Sequence, residues 1–216
     1  MNLEEYSKVK DMHYEDYCDY LVNKYGEAKY DYMSPKFTKN SKVSRTSDGL
    51  YAHHRMENRM CSLSELDVAK KCPWEWQAKY NLVYCDLLEH TFLHLLIAEE
   101  VIPKMKFILG FGGIIDYFVP ELNDLYSGWE TRQAWRKTCH SRVINDKEVY
   151  LTLIRRMIEW WRNENLTENG KLFDVRLDTS LLLTSMGVRY GGWSNFMNKG
   201  IYKDISRIVD DVAIMK

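Results

Sequence analysis

The sequence lacks the markers of a membrane-spanning or disulfide-rich protein. It contains no run of about 18 uncharged apolar residues, the length that a membrane-spanning helix requires. The five cysteines form no close pair, and their odd number favours reduced thiols over a disulfide framework. The first residues are acidic and polar, unlike the basic and then apolar pattern of a secretory signal. We therefore expect a soluble, cytoplasmic protein with no membrane partner.

An excess of charge of one sign is also missing, because 30 basic and 31 acidic side chains leave a net charge of −1. The whole molecule therefore lacks the basic field that marks many nucleic-acid-binding proteins. Cations are nevertheless concentrated in the segment 35–45, which contains no acid. Its basic residues are Lys36, Lys39, Lys42 and Arg45. This segment is either a solvated face or a surface that contacts phosphate groups, and the sequence leaves both interpretations open.

Repeats of fixed period and low-complexity tracts are absent as well, and 45% of the 216 residues are apolar. The chain can therefore bury one sizeable core or two small ones. Tyrosines recur every three to five residues in the segment 14–25, which predicts a helix ended by Gly26. We expect these tyrosines to pack in the core, with stacking on nucleic-acid bases as the alternative.

Further helices are predicted from apolar periodicity and from start and stop signals. Ser62 and Glu65 have the spacing of a capping box and predict the start of a short helix. Residues 34–48 are rich in polar and turn-forming types and predict a loop. The other predicted helices cover residues 86–100, 114–125, 131–139, 147–162 and 201–214.

The most informative pattern is formed by histidines near two short apolar segments. Residues 49–52 and 82–85 are apolar or aromatic and lie near turn formers, which predicts two short strands. The doublet His53-His54 directly follows the first segment. Neighbours in a regular strand point to opposite faces, so both histidines can serve one site only if the strand bends or ends there.

Two more histidines, His90 and His94, are four residues apart in the predicted helix 86–100. Both imidazoles therefore project from one face of the helix and can hold one metal ion. Packing without a metal is the alternative for a histidine on an apolar helix. The remaining histidines, His13 and His140, fit no part of this pattern.

Together, His53-His54, Asn81, His90 and His94 resemble the ββα-metal nucleases, also called the His-Me finger or HNH family. Asn81 precedes His90 by nine residues and His90 precedes His94 by four, as in colicin-type members. The resemblance covers residues 49–100. A wider stretch, including 82–90 and 120–128, resembles uncharacterised HNH-type proteins of bacterial mobile elements.

The resemblance implies an α+β protein, mainly helical, built around a ββα-metal finger core. It implies that His53, His90 and His94 bind one divalent metal ion, Mg²⁺ or Mn²⁺, with Zn²⁺ as a further option. His54 would be the general base and Asn81 would brace the loop between the strands. The implied function is a divalent-metal-dependent DNA endonuclease that hydrolyses phosphodiester bonds.

Residues near the histidines have open roles. Glu57 and Glu89 are each either an extra ligand or a partner of an imidazole, with a solvated carboxylate as the expected alternative for Glu57. Cys72 and Cys85 are expected to be structural thiols and not ligands.

Three segments are predicted: a helical and polar segment 1–48, the nuclease core 49–100 and a helical region 101–216 that contacts DNA. The candidate phosphate contacts are Arg132, Arg136, Arg155 and Arg156. The choice between DNA and RNA and the oligomeric state are open, with a homodimer as one alternative. Two other classes are also open: a non-catalytic DNA-binding or regulatory protein with zinc or no metal in the finger, and an interaction protein whose histidines only pack.

Overall fold

The computed structural model describes residues 1–105, 109–166 and 179–214. This part of the chain is mainly helical and contains a two-stranded antiparallel sheet, in agreement with the predicted α+β class. The helices are α1 (Leu3–Val9), α2 (Tyr14–Tyr25), α3 (Leu66–Ala69), α4 (Leu87–Met105), α5 (Phe111–Gly113), α6 (Val119–Tyr126), α7 (Ala134–Ser141), α8 (Lys147–Leu166), α9 (Met186–Tyr190) and α10 (Lys199–Ile214). A π-helical turn, Ile114–Phe118, leads into α6.

The sheet pairs β1 (Tyr51–His54) with β2 (Leu82–Cys85). The second strand has the predicted bounds, whereas the first begins two residues later than the predicted 49–52. The reason is Gly49, whose φ of 75° lies in the left-handed region and ends a 3₁₀ turn. Both histidines of the doublet therefore belong to the strand, with His54 as its last residue.

The segment between the strands is largely irregular, and the helix start predicted at Ser62 is wrong. Ser62 has a φ of 59°, and its carbonyl accepts a hydrogen bond from the Glu65 N–H at 2.9 Å. This turn places Ser62 outside the helix, and α3 begins only at Leu66. A capping box needs extended backbone at its first residue, which the left-handed turn excludes here.

Helix α4 starts at a reciprocal cap that was not predicted. The Glu89 N–H donates to Asp86 Oδ1 at 2.8 Å, and the Asp86 N–H donates to Glu89 Oε2 at 2.7 Å. Glu89 also accepts from Lys24 Nζ at 2.6 Å and from the Tyr25 hydroxyl at 3.1 Å. Glu89 therefore anchors α4 to α2 and sets where the helix that carries His90 begins.

One hydrophobic core contains side chains from all three predicted segments. Tyr17 of α2 is buried and packs edge-on against Phe92 of α4, with ring centroids 4.8 Å apart. Leu153 of α8 and Ile205 of α10 belong to the same core. The prediction that the α2 tyrosines pack is confirmed for Tyr14 and Tyr17, which are both buried. Within the described ranges, no helix is both long enough and apolar enough to cross a membrane.

Candidate metal centre

Strand β1 and helix α4 bring three of the predicted histidines together. His53, His90 and His94 each contribute one nitrogen to a group whose members lie within 4.8 Å of one another. The shortest distance, 3.1 Å, joins His53 Nδ1 to His90 Nε2. Nitrogen ligands about 2.0–2.1 Å from a tetrahedral ion are about 3.3 Å apart, so these two atoms already have nearly the required separation.

Two of these rings are held in position by a hydrogen bond at the nitrogen that faces away from the group. The Tyr14 hydroxyl lies 2.8 Å from His53 Nε2 and 2.9 Å from the Arg55 carbonyl, which can only accept. Tyr14 therefore donates to Arg55 and accepts from His53 Nε2–H, which leaves a lone pair on His53 Nδ1. His94 Nδ1 donates to the Gly110 carbonyl at 3.2 Å, which leaves a lone pair on His94 Nε2. Such outward hydrogen bonds are typical of histidines that bind metals.

The centroid of the His90 ring lies 5.0 Å from that of each of these two rings. The outer nitrogen of the His90 ring, Nδ1, is buried and has no hydrogen-bond partner among the residues that the structure describes. The Phe118 ring lies against His90 and His94, at centroid distances of 4.6 and 4.9 Å. A buried imidazole nitrogen without a partner is costly, and an ion bound at His90 Nε2 would leave this cost in place. The case for a metal ion therefore depends on the convergence of the three nitrogens and not on His90 Nδ1.

Glu57 adds an oxygen donor. It lies on the 3₁₀ turn Arg55–Asn58 that directly follows β1, and its side chain is only 13% exposed, so the solvated carboxylate expected from the sequence is wrong. Oε2 lies 3.2 Å from His94 Nε2 and 3.8 Å from His53 Nδ1. The carboxylate is therefore within reach of the same ion.

His54 lies apart from the three-histidine group, as alternation along a strand requires. Its Nε2 lies 3.2 Å from Gln77 Oε1, and Gln77 is held by a 3.0 Å bond from its Nε2 to the Leu63 carbonyl. Because Gln77 offers an oxygen, His54 Nε2 is the protonated nitrogen and Nδ1 keeps the lone pair. That Nδ1 lies 3.8 Å from Glu57 Oε1. Glu57 thus lies near both His54 and the three-histidine group. It can do so because β1 ends at His54 and the 3₁₀ turn that follows brings Glu57 back toward the rings.

Burial controls the protonation of these rings. It lowers the pKa of His53 and of His90 well below the usual range, and repulsion from neighbouring imidazoles lowers each pKa further. Burial also lowers the pKa of His54, against the opposing influence of Glu57. The neutral rings that result at neutral pH are the form that binds metal ions and accepts protons.

Two glycines make room for His94, a role that the sequence did not indicate. Gly110 has a φ of 79°, and a Cβ on it would lie 2.3 Å from the His94 carbonyl oxygen. A Cβ on Gly113 would lie 2.6 Å from His94 Nδ1. Nothing local in the sequence shows that these glycines face a ring in the preceding helix.

The three-histidine group does not include Asn81, Cys85 or His140. Asn81 Nδ2 donates to the Glu75 carbonyl at 2.8 Å and so ties the end of the insertion to β2. Cys85 is buried, and its Sγ faces the Tyr51 carbonyl at 3.8 Å. His140 is also buried, and its Nε2 lies 2.7 Å from a Glu121 carboxylate oxygen.

Three of the four predicted phosphate contacts form ion pairs within the protein. Arg156 makes a bidentate pair with Glu99 on α4, at 2.7 and 2.6 Å. The other two pairs are Arg155 with Asp211 at 3.0 Å and Arg136 with Glu121 at 3.0 Å. Arg132 is exposed just before α7. The partners lie on three different helices, so these arginines connect helices to one another.

Comparison with known proteins adds no relative. No protein-family model, curated protein or solved structure matches this chain. The membership predicted from His53-His54, Asn81, His90 and His94 therefore stays a prediction, and a function for this chain has to be argued from the geometry of the centre.

Proposed function

We propose that this chain is a divalent-metal-dependent DNA endonuclease of the ββα-metal type, with His53, His90 and His94 holding the ion. The convergence of one nitrogen from each of these side chains within 4.8 Å supports the proposal most directly. The order β1, β2 and α4 is the strand, strand and helix of a ββα-metal finger, with α3 in the insertion between the strands.

The donor set favours one of the predicted ions over the others. Three imidazoles suit Zn²⁺ and related transition ions, whereas Mg²⁺ prefers oxygen ligands and water. Glu57 Oε2, 3.2 Å from His94 Nε2, is an oxygen donor within reach of the same ion, and a catalytic site would keep one further position open for water. We therefore propose Zn²⁺ as the best fit, with Mn²⁺ next and Mg²⁺ last.

In this function His54 is the general base. The Gln77 carbonyl holds its Nε2–H, so Nδ1 takes a proton from the water that attacks phosphorus. A phosphorus–oxygen bond to the water forms as the bond to the leaving sugar oxygen breaks. The leaving oxygen takes a proton from solvent water, and His54 then returns its proton to solvent. General-base help contributes about 100- to 10,000-fold to the rate. An ion held by His53, His90 and His94 would supply the remaining stabilisation of charge on the phosphate and the leaving oxygen.

The burial of the centre favours a second candidate function. His53 and His54 are each only 1% exposed, and structural metal sites are closed, whereas catalytic sites keep an open position. In this alternative the ion holds β1 against α4 in a non-catalytic DNA-binding or regulatory protein.

One experiment separates the two functions. Supercoiled plasmid is incubated with the protein and Zn²⁺, Mn²⁺, Mg²⁺ or EDTA, and the metal content of each preparation is measured. His54→Ala is compared with His13→Ala, since the His13 side chain is 83% exposed and lies away from the group. The nuclease predicts nicking that EDTA and His54→Ala abolish, while His54→Ala keeps its metal and His13→Ala stays active.

Other outcomes contradict the nuclease. One bound ion per chain without any nicking would support the structural metal site. Protein that binds no ion from any of the three metals would leave only packed histidines. Nicking that survives in EDTA or in His54→Ala would rule out the proposed chemistry.

A further inference from the structure

A groove of about 650 Å³ lies beside β1, next to the candidate centre. It is bordered by the loop that follows Tyr32, by the first strand and by the start of α7. Its lining includes Tyr32, Lys39, Ser41, Ser44, Thr46 and Trp135. Ligand pockets commonly have volumes of about 300–1,000 Å³, so a single nucleotide fits this one.

The groove offers a positive charge without a competing acid. The segment 35–45 contains no acidic residue, and within the described ranges no carboxylate pairs with Lys39. The other cation of the lining, Arg45, is already engaged by Asp48 at 2.9 Å and by the Tyr25 carbonyl at 2.7 Å. Lys39 is therefore the cation that can meet an anionic ligand. The Ser41 hydroxyl and one hydroxyl of the Ser44–Thr46 pair, whose oxygens lie 3.1 Å apart, can donate to the oxygens of that ligand.

An aromatic surface lies in the same groove. Trp135 is 38% exposed, and its ring is held edge-on by Tyr51 at a centroid distance of 6.3 Å. The Arg136 guanidinium lies over one face of the same ring, 4.9 Å from its centroid, so a nucleobase would stack on the opposite face. An exposed indole that is fixed in position in this way can stack on a nucleobase whose faces are free.

The groove is also connected to His54. Tyr32 packs edge-on against the His54 ring, with centroids 4.4 Å apart, and Lys39 Nζ lies 5.3 Å from the centroid of the same tyrosine. A ligand phosphate on Lys39 would therefore lie one aromatic ring away from the proposed general base.

We propose that this groove binds one unpaired nucleotide of a DNA strand, with its phosphate at Lys39 and the neighbouring hydroxyls and its base on Trp135. The proposal rests on the proposed nuclease function and gives that function a substrate contact other than the C-terminal arginines. Unpaired nucleotides are specified because the bases of a duplex are stacked on each other and do not present a face to Trp135.

Binding of a short, fluorescently labelled oligothymidylate to the full chain tests the proposal. Fluorescence anisotropy gives Kd for the protein as purified, and electrophoresis of the recovered oligonucleotide verifies that it is intact. Loss of base stacking in Trp135→Leu should raise Kd about 10-fold or more, and Trp135→Phe should restore most of the affinity. Lys39→Ala should raise Kd and reduce the slope of log Kd against log salt by about 1, and Lys39→Arg should restore both.

Lys36→Ala is the matched control, because Lys36 belongs to the same basic segment but does not line the groove. If Lys36→Ala and Lys39→Ala lose the same amount of affinity for the oligonucleotide, the basic segment is only a solvated face and the proposal is overturned. Equal affinity for a duplex of the same length, or no measurable binding of the oligonucleotide, would overturn it as well. Thermal unfolding of each variant identifies any loss that comes from misfolding, and the Phe and Arg variants then decide the outcome.

The two proposals fail in different ways. If oligonucleotide binding depends on Lys39 and Trp135 but the protein never nicks DNA, the nuclease function is contradicted and nucleotide binding in the groove is supported. If metal-dependent nicking is unaffected by substitution of Lys39 or Trp135, the nuclease function is supported and nucleotide binding in the groove is contradicted.

Discussion

The Glu57 carboxylate lies 3.2 Å from Nε2 of His94, although 37 residues separate them in the sequence. The same carboxylate lies 3.8 Å from Nδ1 of His54, on the other side of β1. Glu57 therefore connects the proposed base with the candidate metal ligands.

Replacement of Glu57 tests this connection. Glu57→Gln keeps the shape of the side chain but removes its charge, so we expect the affinity for Zn²⁺ to fall about 10- to 100-fold. Competition with a chromophoric chelator measures the affinity. Glu75→Gln is the control, because Glu75 is exposed on the insertion between the strands. Unchanged affinity in Glu57→Gln would show that this carboxylate is not a ligand.

The space beside His94 gives a second prediction. Gly113→Ala places a Cβ 2.6 Å from His94 Nδ1, so the ring must move and its hydrogen bond to the Gly110 carbonyl is strained. We expect Zn²⁺ affinity to fall about 10-fold or more, as for other losses of a ligand's orienting contact. In Gly112→Ala the Cβ meets no atom of the described part of the chain within 4 Å, so this variant should bind as the wild type does. Equal affinities for the two variants would contradict the proposed position of His94.

The Tyr14 hydroxyl should matter more than that of a tyrosine one turn away. Tyr14→Phe removes the partner of His53 Nε2, so we expect about a 10-fold loss of metal affinity. Among the residues that the structure describes, the Tyr17 hydroxyl has only the Met1 sulfur as a hydrogen-bond partner, at 3.8 Å, so Tyr17→Phe should keep the wild-type affinity. Isothermal titration with Zn²⁺ compares the two variants, and a larger loss in Tyr17→Phe would indicate general damage to the core.

The pH dependence of cleavage follows from the pKa of His54. Burial lowers that pKa, and a bound cation nearby would lower it further. The neutral base is present above the pKa, so the rate should rise with pH and reach its plateau below the ordinary histidine value of about 6.5. Single-turnover rates on plasmid DNA between pH 4.5 and 8, roughly the range around that value, measure the profile. If the rate falls on the acidic side with a midpoint above the ordinary histidine pKa of about 6.5, a general base with a pKa lowered by burial is contradicted.

Arg156 should contribute to stability and not to DNA binding. Its bidentate pair with Glu99 is largely buried, and Arg156→Met should lower the free energy of unfolding by about 1–3 kcal/mol because Glu99 loses its partner. Urea denaturation measures this loss, and Arg132→Ala, at an exposed position, should leave stability unchanged. A loss of DNA affinity in Arg156→Met at full stability would instead support the phosphate contact predicted from the sequence.

The sequence by itself determined the local features. Helical periodicity places His90 and His94 on one face. An apolar segment near turn formers predicted β2, and the tyrosine spacing that ends at Gly26 predicted α2. These features depend on interactions between residues a few positions apart, which a pattern records directly.

Only the tertiary structure decided what surrounds the histidines. The contacts of His53 with Tyr14, of His54 with Gln77 and of His94 with Glu57 join residues separated by 39, 23 and 37 positions. They exist because β1 ends at His54 and the chain turns back at once, while α2 packs on the sheet. Their partners are set by how the elements pack, which no local spacing encodes.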